Sequence, residues 1–186
     1  MERKIVEPAD VSGSALAELK SWLGITRPNE DPLLTDLLRM ALAMCESFTG
    51  QAPLSQRIEE RLSTSAKQST LCSRPVTAVS KVEIVSQTGE RSELASSQFD
   101  AEITSQGELN FRLLDPQDAQ AVLVTAQAGI ANSWNEVPPP LKQGIIKLCA
   151  HHYRDRDRPG DTNKAASSPP TIVSALWSPW QERRLT

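Results

Sequence analysis

Apolar and polar positions change period twice along this chain, from helical to extended and back to helical. In "SALAELKSWLGI", Leu16, Leu19, Trp22 and Leu23 recur at helical spacing, Ser14 is placed to cap, and Gly24 supplies the left-handed residue that commonly ends a helix. This predicts a first helix over 14–24. After a loop containing Pro28, Asp31 before Pro32 reads as an N-cap followed by a first-turn proline, and a second helix runs over 31–50 to Gly50. Leu33, Leu34, Leu37, Leu38, Ala41, Met44, Cys45 and Phe48 mark its apolar face, with Asp36, Arg39, Ala43 and Ser47 on the other. Two helices joined so closely form a hairpin whose apolar faces need a third partner.

Between residues 56 and 130 the period becomes two. "RIEERLS" alternates Ile58, Glu60 and Leu62 with Glu59 and Arg61, and "SKVEIVSQTGERSEL" turns at Gly89. "GELNFRLL" alternates again, and "AQAVLVTAQAG" is a Val-rich strand closing at Gly129. The connections are too short for helical crossovers, so the pairing is expected to be antiparallel. A third helix follows over 140–157, led in by Pro138, Pro139 and Pro140, with Leu141, Ile145, Leu148, Cys149 and His152 along one face and Pro159 and Gly160 as its stop. The predicted class is α+β: mainly a helical bundle of three core helices with an inserted antiparallel β region, together a body over 1–157. A polar, proline-containing linker over 158–170 and a C-terminal extension over 171–186 complete the chain.

Composition narrows the possibilities. Hydrophobic residues make up 39% of the 186 positions but aromatics only 4%, so the core is expected to be built from Leu, Val, Ile and Ala. Twenty basic and twenty-three acidic residues leave a net charge of −3, without the basic excess of an electrostatic nucleic-acid binder. No apolar run reaches a membrane span, and the opening "MERKIVEPADVSG" lacks a secretory apolar stretch, so a cytoplasmic protein is expected. Cys45, Cys72 and Cys149 are spaced for neither a disulfide framework nor a zinc motif, and two of them fall on apolar faces as small core residues.

Catalytic patterns are missing. The sequence has no nucleophile elbow and no glycine-rich phosphate cradle, and His151 and His152 with Cys149 provide too few ligands for zinc. Glu59 and Glu60 point to opposite faces of a strand and are expected to face solvent. "YRDRDR" at the end of the third helix balances its arginines with aspartates, as a solvated, salt-bridged helix end does. The tail is different. Leu176, Trp177 and Trp180 beyond a polar linker would present apolar surface to a partner, or would fold back onto the chain's own helices. The outward reading expects a chain cut after Asn163 to keep its fold and melting temperature.

Taken in order, "LKSWLGI", "NEDPLLTDLLRMALAMCESFTGQAPL", "RPVTAVSKVEI", "QAGIANSWNEVPPPLKQGIIKLCAHHYRDR" and "ALWSPWQERRL" resemble the head-tail connector (adaptor) proteins of long-tailed phages and of phage-derived gene transfer agents. The resemblance covers nearly the whole chain. It implies a small helical protein with an inserted β region that is not an enzyme, needs no cofactor or metal, and forms a twelve-fold ring under the portal protein at the head-tail junction of a particle assembled in the bacterial cytoplasm. It further implies neighbouring copies of itself, a neck, stopper or tail component, and passing double-stranded DNA as partners, the last without specific binding, and no membrane. Portal contact would fall to Leu176, Trp177, Trp180, Arg183, Arg184 and Leu185. The outer face of the second helix, with Asp36, Arg39, Met40 and Ala43, would meet the neighbouring subunit. A small interaction module that assembles no ring is the competing reading of the same hairpin and tail.

Overall fold

The computed structural model describes residues 2–64, 68–115, 119–156 and 169–181. The chain divides into two compact units, one formed by residues 1–8 and 55–130, the other by residues 9–54 and 131–186.

Among the described residues the first unit has only strands and turns. Strand β1 (Glu2–Glu7) pairs with β2 (Gln56–Ser63), which pairs with β8 (Ala119–Ala128); β8 pairs with β4 (Val76–Ser86), and β4 with β5 (Arg91–Glu93). A second sheet has the order β3 (Ser69–Thr70), β7 (Leu109–Leu113), β6 (Phe99–Ile103). Among the described residues every strand pair is antiparallel; short connections account for this in the β4–β5 and β6–β7 hairpins, while the other pairs join strands distant in the chain. β8 is central and buried along most of its length, which explains its continuous apolar reading, whereas β2 alternates. Ile58, Leu62, Val82, Val122 and Val124 from the first sheet share one core with Leu109 and Phe111 from the second, and Phe99 stacks on Phe111 at 5.6 Å.

Three strands escape the sequence pattern. β1, β3 and β6 are edge strands, exposed or half-buried, so they carry little of the alternation that burial of one face imposes.

One polar group in this core corrects an expectation. Glu60 does not face solvent: it is 1% exposed, and its carboxylate accepts the N–H groups of Cys72 and Ser73 at 2.8 Å each and the Ser73 hydroxyl at 2.5 Å. Alternation puts it on the apolar face of β2 with Ile58 and Leu62. The carboxylate tolerates that position because three donors from one segment replace water.

The second unit is helical, with α1 (Ser14–Leu23), α2 (Asp31–Thr49), α3 (Pro139–Asp155) and α4 (Thr171–Trp177). Gly24 and Gly50 end the first two helices in left-handed conformation, as expected. Both N-caps shift by one residue. Gly13 rather than Ser14 precedes α1, and a 3-10 turn over Pro28–Glu30 leads into α2, so Asp31 is its first helical residue and pairs instead with Lys20 of α1 at 2.6 Å. Pro138 stands just before α3, with Pro139 and Pro140 in its first turn. The expected stop at Pro159 and Gly160 lies outside the described residues.

Leu16, Leu19, Leu34, Leu38, Ala41, Cys45, Leu141, Ile145, Leu148 and Cys149 form the buried faces of the first three helices. The expected bundle of three core helices gains a fourth member. Val173 and Trp177 of α4 are completely buried, so residues 171–177 belong to the helical unit itself.

Candidate interaction surfaces

α4 has only seven residues, too few to persist alone, and is held by its packing. Trp177 is 0% exposed. Its Nε1–H donates to the Leu141 carbonyl at 3.3 Å, and its ring meets Phe48 of α2 with centroids 5.9 Å apart and planes tilted by 54°. Beneath it α3 carries Gly144, where a Cβ would lie 2.1 Å from that indole nitrogen. A mid-helix glycine costs about 1 kcal/mol of helix propensity, and the close approach of the indole explains its presence. Beyond α4, a 3-10 turn over Ser178–Trp180 is fastened to the end of α2. Gln51 Nε2 donates to the Trp180 carbonyl at 3.2 Å, and Gln181 Nε2 donates to the Phe48 carbonyl at 3.1 Å, engaging one of the last carbonyls of that helix.

The tail residues expected to make contacts therefore differ in position. Leu176 and Trp180 are half-buried at the edge of α4, while Trp177 is enclosed by its own subunit and has no free face while α4 stays docked. Arg183, Arg184 and Leu185 lie outside the described residues. The large apolar residue that α4 exposes is Ile172, at 59%.

A second surface is the outer face of α2. Asp36, Arg39 and Ala43 are exposed and Met40 half-buried, with Asp36 and Arg39 paired at 3.3 Å in water. Leu33, placed by periodicity on the apolar face, sits at the end of this stripe and is 37% exposed.

A third surface was not anticipated. Between α1, a 3-10 turn over Trp134–Glu136 and the start of α3 runs a groove of about 390 Å³, lined by Trp22, Val137, Pro139 and Ile146 with Glu18 and Lys142 among its polar members. Trp22, expected in the core, is 47% exposed, with the Lys147 ammonium 5.5 Å from its ring centroid. Glu18 fixes one wall: it accepts the Trp134 indole N–H at 2.8 Å and lies 3.8 Å from Lys142. Trp22 follows Leu19 by three residues, and periodicity alone does not distinguish the core side of a broad apolar stripe from its rim.

The chemistry elsewhere is sparse. Among the described residues no group of three or more His, Cys, Asp or Glu is placed to hold a metal, and no helix is long and apolar enough to cross a membrane. Cys45 and Cys149 are buried, as their apolar faces implied, and burial pushes both thiols up to about 12. The Cys149 thiol donates to the Leu37 carbonyl at 3.4 Å. An open depression of about 680 Å³ in the β unit is lined by Arg61, Ser63, Thr70 and Gln120 among others, with no histidine or cysteine among its described lining residues. His152 keeps Nε2 enclosed without a hydrogen-bond partner, and burial, aided by His151, holds its imidazole below the usual histidine range.

The model of the head completion protein family matches residues 15–167. The chain belongs to this family. Comparison with curated proteins gives no match. Among solved structures, the fold is similar to a chain in the neck of an empty gene transfer agent particle computed with C6 symmetry (TM-score 0.76). It is also similar to a chain in the neck of the native particle computed with C12 symmetry (0.76) and to one in the native virion (0.73). Each of the three is 22% identical, and the alignments cover 100% of this chain and 98% of the other. At that identity the likeness is one of fold. The family match spans most of both units of this head completion protein and ends before α4, whereas the structural likeness includes α4 and the tail. The family is named for a part of particle assembly and not for a reaction.

Proposed function

We propose that this head completion protein is a ring-forming adaptor at the head-tail junction of a phage or gene transfer agent particle. Twelve copies sit on the portal protein of the DNA-filled head, present a surface to the next neck, stopper or tail component, and leave a bore through which double-stranded DNA passes without specific binding. The observation that carries this reading is the family match across both units. The fold likeness to neck proteins, one of them in a twelve-fold neck, supports the ring and its location.

In this reading the tail meets the portal through Leu176, Trp180, Arg183, Arg184 and Leu185, while Trp177 acts from inside, fixing α4 so that its neighbours are presented in one orientation. The outer face of α2, with Asp36, Arg39, Met40 and Ala43, meets the neighbouring subunit. Free protein is monomeric or weakly associated and becomes a ring on the portal; the net charge of −3 gives DNA no strong hold on it.

The test is deletion of the gene followed by electron microscopy of the particles. DNA-filled heads without tails, restored to tailed particles by added wild-type protein, are expected; normal tailed particles from the deletion strain would overturn the reading. Adding Trp180→Ala protein to such heads separates the docking assignment: restoration equal to wild type would remove Trp180 from the portal contact.

A further inference from the structure

A ring of identical subunits needs a heterologous contact, in which one surface of each copy meets a different surface of the next. Two unlike surfaces of the helical unit are open. The stripe on α2 carries Leu33, Met40 and Ala43 as apolar members and Asp36 and Arg39 as opposite charges, and it points away from the buried row Leu34, Leu38, Ala41 and Cys45. The groove between α1 and the start of α3 exposes Trp22 and Pro139 over a floor of nearly enclosed Val137 and Ile146, with Glu18 and Lys142 as opposite charges. No residue is shared between them.

We infer that the α2 stripe of one copy docks into the Trp22 groove of the next copy. The inference rests on the ring reading above and names the two surfaces that would join. Leu33, Met40 and Ala43 stand at i, i+7 and i+10, the spacing with which one face of a helix enters a groove. Met40 at its centre suits the half-exposed Trp22 indole beside Lys147, since a thioether packs well on an aromatic ring, often at its edge. Charge selects the same partner. Asp36 and Arg39 lie one turn apart, and Lys142 and Glu18 lie 3.8 Å apart, so a single antiparallel placement brings Asp36 to Lys142 and Arg39 to Glu18. Two α2 stripes meeting each other would also pair their charges. That contact closes on itself as a dimer and leaves Trp22, the large apolar side chain of the groove, in water.

Asp36, which this placement brings to Lys142, and Gln143, the chain neighbour of Lys142, are both exposed, and cysteines there read the contact directly. In protein carrying Cys72→Ser, the double variant Asp36→Cys, Gln143→Cys is incubated with tailless DNA-filled heads and oxidised. The expected product is a ladder of disulfide-linked multimers rising to a closed ring, with neither single variant giving multimers. Dimers from Asp36→Cys alone would overturn the inference in favour of a symmetric α2 contact. Rings visible on the heads without any ladder would overturn the surface pairing while leaving the ring intact. Wild-type protein that forms no ring on the heads would sink the ring reading itself. As an independent arm, Trp22→Ala is expected to lower ring occupancy at least tenfold with an unchanged circular dichroism spectrum; unchanged occupancy counts against the groove.

Discussion

Trp177 and Trp22 are the same side chain in opposite circumstances within one helical unit. Trp177, on a helix of seven residues, is wholly enclosed, bonded through its indole N–H and seated on a glycine. Trp22, on a longer helix, lies half in water at the edge of a groove, with a lysine over its ring. The comparison separates two uses of a large aromatic. An enclosed tryptophan with a satisfied N–H and a matched cavity holds its own subunit together, and its removal leaves a void. An exposed one contributes little to folding and is available where binding energy concentrates at an interface.

Removing the enclosed ring gives the largest effect. Trp177→Ala is expected to cost about 3–5 kcal/mol, measured by urea unfolding followed by circular dichroism. A chain cut after Asn163 should lose at least as much, so the unchanged melting temperature expected from a free tail is replaced by a marked fall. Gly144→Ala sharpens the point by overfilling the same site, at a cost of about 1–3 kcal/mol. A cut chain as stable as the whole one would break the comparison, because Trp177 would then hold nothing.

The β unit supplies a control in which the enclosed group is polar. Glu60→Ala leaves two N–H groups and a hydroxyl in the interior without their acceptor, and about 3 kcal/mol should be lost. Glu60→Gln keeps one carbonyl acceptor and should lose less. Equal stability of the alanine variant and wild type in urea would mean that the segment around Ser73 finds other partners.

A pH titration probes α3, which carries Gly144, at its far end. His152 has a folded pKa below its unfolded value, so between the two the unfolded chain binds more protons. Its contribution to stability is complete above the unfolded value near 6.5 and is lost as pH falls through that value toward the lowered one. Asp155 opposes the shift and His151 adds to it, so both shape the transition. Melting temperatures at pH 7.5 and 5 should differ in wild type, and the part due to this residue should vanish in His152→Leu. An identical slope in the variant would assign the whole effect to other groups.

The smallest stability change is expected for Trp22→Ala, within about 0.5 kcal/mol by urea unfolding, as for surface substitutions generally. A loss near that of Trp177→Ala would erase the contrast between the two residues.

Much of this architecture is legible in the order of the residues. The helix over 31–50, its glycine stop, the proline entry to α3, the Gly89 turn and the antiparallel hairpins follow from spacing and turn chemistry, which act over a few residues. The edge strands β1, β3 and β6 are not legible, because without a buried face there is no period to read. The candidate contacts divide in the same way. The outer stripe of α2 is visible as the polar side of an amphipathic helix, but the groove at Trp22 is assembled from residues more than a hundred positions apart.

The sequence by itself determined the three longer helices, the strands with a buried face, the α+β class and the family resemblance, since periodicity, caps and motif order are properties of neighbouring residues. Tertiary structure alone decided which tryptophan is inside and where Glu60 finds its donors. Both depend on which surfaces meet: α4 brings Trp177 over Gly144, and the segment at Cys72 and Ser73 brings its N–H groups to β2. A side chain's type sets how much it gains from burial, and only the packing of distant segments sets whether it is buried.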